Sequence, residues 1–467
     1  MAPAADRPPG GRGPAPAHHR RLSSPRLARP GHAAVRDELR LATRLLLPAL
    51  AEGLIQRRPR AMARAERKQA DRTAIDLVRD LRARYGEGPL GLRAGPRRVA
   101  LLLTADDLER VLRQTPEPFS PAAWEKRRAL DRFQPHGSLI SGGEPRRARR
   151  RINEAALDLA RPPHAELLPA LAARVTEEAG RVAREAEGGV LAWEGFAAGW
   201  WRAVRRAVLG DAAREDTDLT GRLAALRAAG NWSLLGPRRR LPRAEFLVRV
   251  QRYAFHAPPD TLAGQLRALD TRPEADPVGQ VPHWLFAFDA GGAATLRALA
   301  LLAAHEESAE RAAREAAEGG PGGPWDLPFL RACVQESVRL WPTTPLLLRE
   351  STEDTRWRGT LVPRGTAFVA YTPYFHRAEP AAPYGDAFAP GIWLDGRAAG
   401  LPALVPFSAG PGACPGEDVV LLTASLWLAA LLRRHRYALG PKGPLRPGRR
   451  IPATLDHFAL RLTPHPA

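Results

Sequence analysis

Long segments with apolar residues at helical spacing dominate this chain and restrict it to a mainly α-helical fold. Between about residues 145 and 255, segments rich in Ala, Arg, Leu and Glu alternate with short polar breaks. Further helices are predicted over 71–86, from Pro282 to residue 307, over 324–342 and over 417–435. Because no break in composition separates these segments, we expect one large helical domain over residues 35–467.

A minor β portion is predicted among the helices. The segment 97–104 reads as a strand, and a capped helix, "ADDLERVLRQ", follows it. Near the middle of the C-terminal half, "LLLRE", "GTLVP" and "GTAFVAYTPY" are β-branched or aromatic runs between Gly and Pro breaks, which is typical of short strands. Residues 1–34 are rich in Pro, Gly, Ala and Arg without an apolar period, so we expect a disordered tail there.

The charge and the cysteine count exclude several classes of protein. The net charge is +20, and it is spread through helical segments and the tail. No zinc finger, RNP-type motif or basic zipper accompanies it, so a solvated basic surface is favoured over nucleic-acid binding, and docking of an acidic protein is the functional alternative. Two cysteines cannot build a disulfide framework or a zinc site of the usual spacing. The apolar run from Leu45 is too short to span a membrane and no signal-peptide pattern precedes it, so we expect a cytoplasmic protein.

One cysteine lies in a loop of unusual composition, "FSAGPGACPGEDVVL" (407–421), directly before an apolar helix. Cys414 has three interpretations: a small buried residue in a turn, a nucleophile with His376 as the nearest base, or a thiolate that binds a metal. No protease signature surrounds it. The start of the following helix would face the sulfur with free N–H groups, which predicts a lowered thiol pKa and favours the metal ligand.

The spacing F-x-x-G-x-x-x-C-x-G, formed by Phe407, Gly410, Cys414 and Gly416, resembles the haem-ligand loop of the cytochrome P-450 family. The resemblance implies that Cys414 is the metal ligand, holding the iron of haem b, and that the other three residues shape the cofactor site.

A second segment, "CVQESVRLWPTTPLLLR", carries the same resemblance further. It contains the family's Glu-x-x-Arg pair as Glu336 and Arg339, followed by the pattern R-L-x-P-x-x-P-x-x-x-R up to Arg349. Residues at i and i+3 share a helix face and can form an ion pair. By the resemblance, Glu336 and Arg339 stabilise the fold, and Arg349 binds a haem propionate, which suits a bidentate guanidinium.

The central helix contains "AFDAGGAATLRAL", where the family has a small residue, a glycine, a variable residue, an acid and a threonine that open the helix for oxygen activation. Gly291, Gly292 and Thr295 match this pattern, and Thr295 would donate a hydrogen bond to dioxygen. The alternative is that the glycines only permit close helix packing. The acid position is occupied by Ala294, so Asp289, six residues before Thr295, is the remaining candidate for proton delivery.

Two further positions depart from the family pattern. Ile392 replaces the arginine that usually completes the network of the Glu/Arg pair, and Gly412 replaces a basic residue two positions before the cysteine. The basic segment "EPRRARRRINE" (144–154) can compensate, with Arg147 and Arg151 as candidate propionate ligands; a solvated basic face is the alternative. "WEKRR" (124–128) resembles another propionate-binding pattern but stands earlier in the chain than that pattern does.

The resemblance implies a helical triangular prism with small β-sheets, and haem b between the central helix and the cysteine loop. It implies a divergent soluble bacterial monooxygenase that inserts one oxygen atom of dioxygen into an organic small molecule. Since the chain has no flavin or iron–sulfur module, a ferredoxin- or flavodoxin-type partner would supply the electrons. A peroxide-using or oxygen-independent haem-thiolate enzyme and a non-catalytic haem-binding protein remain alternatives. Expected substrate contacts lie in four segments: 119–140, 190–250, 343–348 and 454–460.

Overall fold

Helices form most of the fold, with small sheets beside them, and the predicted fold class is confirmed. The computed structural model describes residues 31–94, 97–159, 167–269, 272–320, 323–378 and 384–466. Residues 1–30, most of the predicted tail, lie outside this range.

Helices make up most of the described part of the chain's first half. They are α1 (Val35–Leu41), α2 (Leu47–Glu52), α3 (Pro59–Lys68), α4 (Ala70–Tyr85), α5 (Ala105–Arg113), α6 (Trp124–Leu130), α7 (Gly143–Leu157), α8 (Leu167–Glu185), α9 (Trp193–Leu209) and α10 (Thr217–Gly230). A π-helical turn, Ala42–Leu46, joins α1 to α2. The predicted cap of α5 is present, because the Thr104 hydroxyl accepts a hydrogen bond from the Asp107 N–H at 3.1 Å.

The second half contains the central helix and the helices that pack on it. They are α11 (Arg240–His256), α12 (Leu262–Gln265), α13 (Val281–Ala304), α14 (Glu306–Glu318), α15 (Pro328–Leu340), α16 (Thr372–Arg377), α17 (Gly391–Leu394) and α18 (Glu417–Leu432). The sequence predicts one helix from Pro282 to residue 307, but the structure divides it at His305, whose extended backbone (φ −134°, ψ 91°) ends α13.

Within the described residues, ten short strands form three sheets. The strands are β1 (Leu90–Ala94), β2 (Arg97–Leu101), β3 (Phe119–Ser120), β4 (Leu191–Ala192), β5 (Leu346–Ser351), β6 (Thr355–Trp357), β7 (Thr360–Val362), β8 (Ala367–Tyr371), β9 (His435–Leu439) and β10 (Arg461–Pro466). The largest sheet has the order β1-β2-β8-β5-β3 and is antiparallel except between β2 and β8. It joins β1 and β2 from the N-terminal part of the chain, through β8, to β5, the strand that carries Arg349.

The central helix α13 organises the core. It packs against α9, α15 and α18, and Trp200 of α9 meets Phe196 and Trp427 in an aromatic cluster beside it. In the described part of the chain, Val278–Ala304 alone is long and apolar enough to cross a membrane, and 78% of its most apolar window is buried inside the fold. Its apolar character is therefore explained by its place in the core.

Candidate functional site

A backbone hydrogen bond and a glycine in a left-handed conformation define the shape of the cysteine loop around Cys414. The Cys414 N–H donates to the Phe407 carbonyl at 2.9 Å, and α18 begins three residues later. Gly410 has φ +62°, and a Cβ at this position would lie 2.6 Å from the Leu112 carbonyl oxygen. Glycine is therefore required at 410, whereas Gly416 has an ordinary backbone, and a Cβ there would make only a van der Waals contact with Leu157 at 3.6 Å.

The sequence predicts a lowered pKa for the Cys414 thiol, but this prediction is wrong, because the protein's own groups raise that pKa. Burial raises the pKa of the thiol, a hydrogen bond from the Gly416 N–H lowers it, and the nearby Glu417 carboxylate raises it again. Burial outweighs the helix N-terminus because an apolar environment destabilises the thiolate. An anionic sulfur at this position needs a cation beside it, as a metal would provide.

Glu336 and Arg339 form the predicted ion pair on α15, and both side chains are fully buried. The Arg339 Nε donates to Glu336 Oε1 at 2.6 Å and its Nη2 to Oε2 at 2.8 Å. The Ala389 N–H donates to Oε2 at 2.8 Å, and the indole Nε1 of Trp393 donates to Oε1 at 2.9 Å. Trp393 thus provides the additional donor that Ile392 cannot provide.

The backbone around Arg339 also determines which hydrogen bonds the His376 ring makes. The guanidinium donates to the carbonyls of His376 and Ala387. The Val405 N–H donates to His376 Nε2 at 3.1 Å, so the ring must carry its proton on Nδ1, which faces the Arg339 carbonyl at 3.3 Å. Both ring nitrogens are therefore used by the backbone, and His376 is not available as a base for a nucleophilic cysteine.

Arg349 lies against the cysteine loop together with two other cations, the buried Arg146 and the half-buried Lys126. Its guanidinium donates to the hydroxyls of Thr115 and Ser408, both at 3.1 Å. The Lys126 ammonium donates to the Leu348 carbonyl at 3.2 Å, and Arg146 of α7 donates to the Ser138 carbonyl at 3.0 Å. We name Lys126, Arg146 and Arg349 the buried cation cluster.

The charges of the buried cation cluster are not compensated by the groups that hold them. All the hydrogen bonds described for the three side chains go to neutral oxygen atoms. Burial and the charge of Arg146 lower the pKa of Arg349 to about 10, and burial and the charges of Arg349 and Arg146 hold the pKa of Lys126 well below its usual range. Such an arrangement favours binding of an anion with more than one negative charge.

The structure does not bring Arg147 and Arg151 to this cluster. Both side chains are 62% exposed on the outer face of α7 and form ion pairs with Glu144. Helical geometry instead directs Arg146 and Arg150 inward, and Arg150 donates to the Ala413 carbonyl beside the cysteine at 2.6 Å. The predicted helix is in place, but the inward positions are one residue earlier than expected.

The central helix is continuous through its glycine pair. A Cβ on Gly292 would lie 2.9 Å from Cδ1 and Nε1 of Trp200, and one on Gly291 would lie 3.1 Å from Val420. Close packing therefore accounts for both glycines, as the alternative interpretation states. Thr295 is fully buried, and its hydroxyl donates to the Gly291 carbonyl at 2.8 Å.

Asp289 lies on a different side of the central helix from Thr295, since six residues correspond to about 240° of rotation. Its carboxylate pairs with Arg227 of α10 at 2.5 Å, and the Arg227 guanidinium lies 5.1 Å from the ring of Phe286. Phe286 in turn contacts Phe133 with ring centroids 5.2 Å apart. Two of the expected substrate segments, 119–140 and 190–250, thus meet on this face of α13.

Three residues of the site were not assigned from the sequence: Lys126, Arg146 and Trp393. Lys126 belongs to the "WEKRR" segment, so a sequence signal for it existed. Trp393 directly follows Ile392, one of the two departures from the family pattern.

Comparisons with known proteins find similarity to one family over part of the chain. The sequence model of the family "Cytochrome P450" matches residues 298–450. Cytochrome P450 4c3 of Drosophila melanogaster is 33% identical over 24% of this chain and 21% of its own length, and the mitochondrial sterol 26-hydroxylase of Mus musculus is 32% identical over 25% and 23%. The chain spans only about a fifth of the length of the curated relatives that it matches.

Solved structures extend the similarity to most of the chain. A cyanobacterial CYP120A1 with bound retinoic acid has a TM-score of 0.67 at 21% identity, covering 84% of this chain and 94% of that one. CYP175A1 from Thermus thermophilus has a TM-score of 0.64 at 22% identity, covering 85% and 96%. The chain therefore shares the fold of these solved structures, and its residues 298–450, which contain the cysteine loop, are similar to the cytochrome P450 family.

Proposed function

We propose that this protein is a haem-thiolate monooxygenase that inserts one oxygen atom of dioxygen into a small organic molecule, using externally supplied electrons. The observation that carries the proposal is the buried cation cluster beside the cysteine loop. Haem b carries two propionate groups, and a site for it needs a soft axial ligand and cations for two carboxylates. Cys414 and the cluster of Lys126, Arg146 and Arg349 offer both, so the residues fit the cofactor.

In this proposal each part of the site has a defined role. Cys414 would hold the haem iron through its thiolate, and the iron would supply the positive charge that this half-buried sulfur needs. The Gly416 N–H stabilises the anionic sulfur by a hydrogen bond. Arg349 and Lys126 hold the propionates and fix the orientation of the ring. Haem, when bound, supplies the oxygen-activating chemistry, and the thiolate ligand favours cleavage of the O–O bond.

The electron donor in this proposal is an acidic protein of the ferredoxin or flavodoxin type. The outer face of α7 carries the exposed Arg147 and Arg151, and the same helix contacts the cysteine loop through Arg150. Exposed cations on an element next to the ligand loop suit docking of an acidic partner. A reduction rate that falls steeply with ionic strength would support this assignment, and a rate that does not change would contradict it.

The substrate in this proposal is apolar and contacts the face of α13 that carries Phe286. That face is partly exposed, and Phe133 and Arg227 approach it from the two segments named above. The aromatic rings favour an apolar body, and Arg227 is already paired with Asp289, so an additional anionic group is not required.

A second candidate is a haem-thiolate enzyme that uses peroxide. It is favoured by the residues at the expected oxygen-activating positions. Ala294 stands where an acid is expected, the Asp289 carboxylate is paired with Arg227, and the Thr295 hydroxyl donates to the Gly291 carbonyl. Product formed from peroxide without an electron donor, and none from dioxygen with a donor, would establish this alternative.

The decisive experiment measures cofactor binding directly. The purified protein is titrated with hemin, and the reduced carbon monoxide complex should show the red-shifted Soret band of a thiolate ligand. Cys414→Ser should lose that band. Lys126→Met should bind hemin at least tenfold more weakly, whereas Arg127→Met, at a neighbouring side chain that is 46% exposed, should bind it normally. Folded protein that does not bind hemin, or an unchanged spectrum in Cys414→Ser, would refute the proposal.

A further inference from the structure

We propose that a cavity between the cysteine loop and the segment 393–406 binds a small organic cation, an ammonium group carried on an apolar body. The lining of this cavity, which we name the loop cavity, includes Trp393, Ala399, Leu404, Phe407, Ser408 and Glu417. Among the described residues, none of α13 or of the buried cation cluster lines it, so it is distinct from the space between that helix and the loop. The inference goes beyond the proposed function and does not depend on haem binding.

The loop cavity has the size of a small-molecule site. Its volume is about 270 Å³. Sites for drug-sized ligands have volumes of about 300–1,000 Å³, so the occupant is smaller, on the scale of one aromatic ring with a short substituent. Ala399 on its wall is exposed, and Phe407 and Glu417 are half-buried, so a solute can enter from the solvent.

Most of the wall of the loop cavity is apolar. Ala398 and Leu404 belong to a small buried hydrophobic cluster, and the aromatic side chains of Trp393 and Phe407 are half-buried. The indole of Trp393 is fixed in place by its hydrogen bond to Glu336 Oε1 at 2.9 Å. Such a wall accepts an apolar body, and aromatic rings also attract cations.

Glu417 gives the loop cavity its charge. No other described residue of the lining has an ionisable side chain. The Glu417 carboxylate accepts no hydrogen bond from a described residue and forms no ion pair with one, and the nearby Arg331 pairs with Asp418 at 2.6 Å. Burial and the charge of Asp418 raise the pKa of Glu417, and the charge of Arg331 opposes them only in part. A bound cation would compensate this charge.

The charge of Glu417 decides between the possible occupants of the loop cavity. The neighbouring acids already have partners, because Asp395 pairs with Arg397 at 2.6 Å and Asp418 pairs with Arg331. An anionic ligand would meet a like charge, and a neutral apolar ligand would leave the carboxylate without a partner. A cation with an apolar body satisfies the carboxylate and the aromatic wall together, as in sites that recognise quaternary ammonium groups.

The test uses the full chain and benzyltrimethylammonium as the probe. This ion joins a permanent positive charge to one aromatic ring, and its nitrogen has no lone pair, so it cannot ligate a haem iron. Isothermal titration calorimetry measures its dissociation constant, with benzyl alcohol as the neutral comparison. We expect saturable one-to-one binding of the cation, at least tenfold tighter than that of the alcohol.

Two variants separate the charge of the loop cavity from its shape. Glu417→Gln removes the charge and should weaken binding of the cation at least tenfold, with little effect on benzyl alcohol. Ala399→Phe, at an exposed lining position, fills the cavity and should abolish binding of both compounds.

The matched control is Glu307→Gln. Glu307 is an exposed acid in the first turn of α14, as Glu417 is an acid in the first turn of α18, but it does not line the loop cavity. This variant should bind the probe within twofold of the unmodified protein. Unchanged circular dichroism is expected for all three variants.

Three results would overturn the inference. One is the absence of saturable binding of the probe to the folded protein. Another is equal affinity of the unmodified protein and Glu417→Gln, which would show that the carboxylate does not face the ligand. The third is binding that Ala399→Phe leaves unchanged, which would place the ligand elsewhere on the chain. The titrations are carried out with and without hemin, so a failure of this inference and a failure of hemin binding are seen separately.

Discussion

Replacing Trp393 with phenylalanine tests how the buried Glu336–Arg339 pair is stabilised. The indole Nε1 lies 2.9 Å from Glu336 Oε1, and the carboxylate is fully buried. Hydrogen bonds to charged groups stabilise proteins by about 1.5–3 kcal/mol, and water cannot replace this donor at a buried carboxylate. We therefore expect Trp393→Phe to lower the free energy of unfolding by about 1.5–3 kcal/mol.

The matched control is the same substitution at an exposed site. Trp232 is 56% exposed, so Trp232→Phe should change the free energy of unfolding by less than about 0.5 kcal/mol. Denaturant unfolding followed by far-ultraviolet circular dichroism measures both variants, from the midpoint and slope of each transition. Equal midpoints for the two variants would refute the reasoning, since the bond to Glu336 would then add nothing.

Two further predictions follow from the packing and the titration of buried groups. Gly292→Ala places a Cβ 2.9 Å from Trp200 and should lower the free energy of unfolding by about 1–3 kcal/mol, measured by thermal or denaturant unfolding. The control is Gly221→Ala on α10, which has open space around it and should not be destabilised. Equal stability of the two variants would contradict close packing of Gly292 against Trp200. Burial and the charge of Arg339 lower the pKa of His376 to about 3, so the folded protein keeps the ring neutral while the unfolded chain protonates below about pH 6.5. The contribution of His376 is complete above pH 6.5 and is lost as the pH falls towards 3, so His376→Gln should flatten the decline of unfolding midpoints between pH 6.5 and 4, and an unchanged slope would contradict it.

The helical architecture could be predicted because each helix carries its own signals. Apolar spacing located α4 and α15, and the Thr104 cap marked the start of α5. The end of α13 at His305 was missed, since no glycine or proline stands there and "LAAHEE" continues with good helix formers. The break depends on the tertiary fold, which the local sequence does not contain.

The candidate site was predicted less completely, because its contacts join residues far apart in the sequence. In "PRRARRR" five of the seven residues are arginine, so composition cannot tell which ones face inward. That choice depends on the Ser138 and Ala413 carbonyls, which accept from Arg146 and Arg150. The spacing that selected Arg147 and Arg151 was correct for a shared helix face, but it identified the face that points to solvent.

The two departures from the family pattern are explained by the side chains around them. A Cβ on Gly412 would lie 2.8 Å from Arg349 Nη2, so a larger residue there would displace the guanidinium from its present position between Thr115 and Ser408. The positive charge absent from position 412 is instead present in Lys126 and Arg146.

At the other departure, Ile392 is fully buried beside Ala398 and Leu404, while the next residue, Trp393, supplies the donor to Glu336. The carboxylate accepts four hydrogen bonds there, two from Arg339 and one each from Ala389 and Trp393, which fills its lone-pair sites. An arginine restored at position 392 would therefore be a buried cation without an acceptor on Glu336. In this chain, the family's usual residue would destabilise the network that it completes elsewhere.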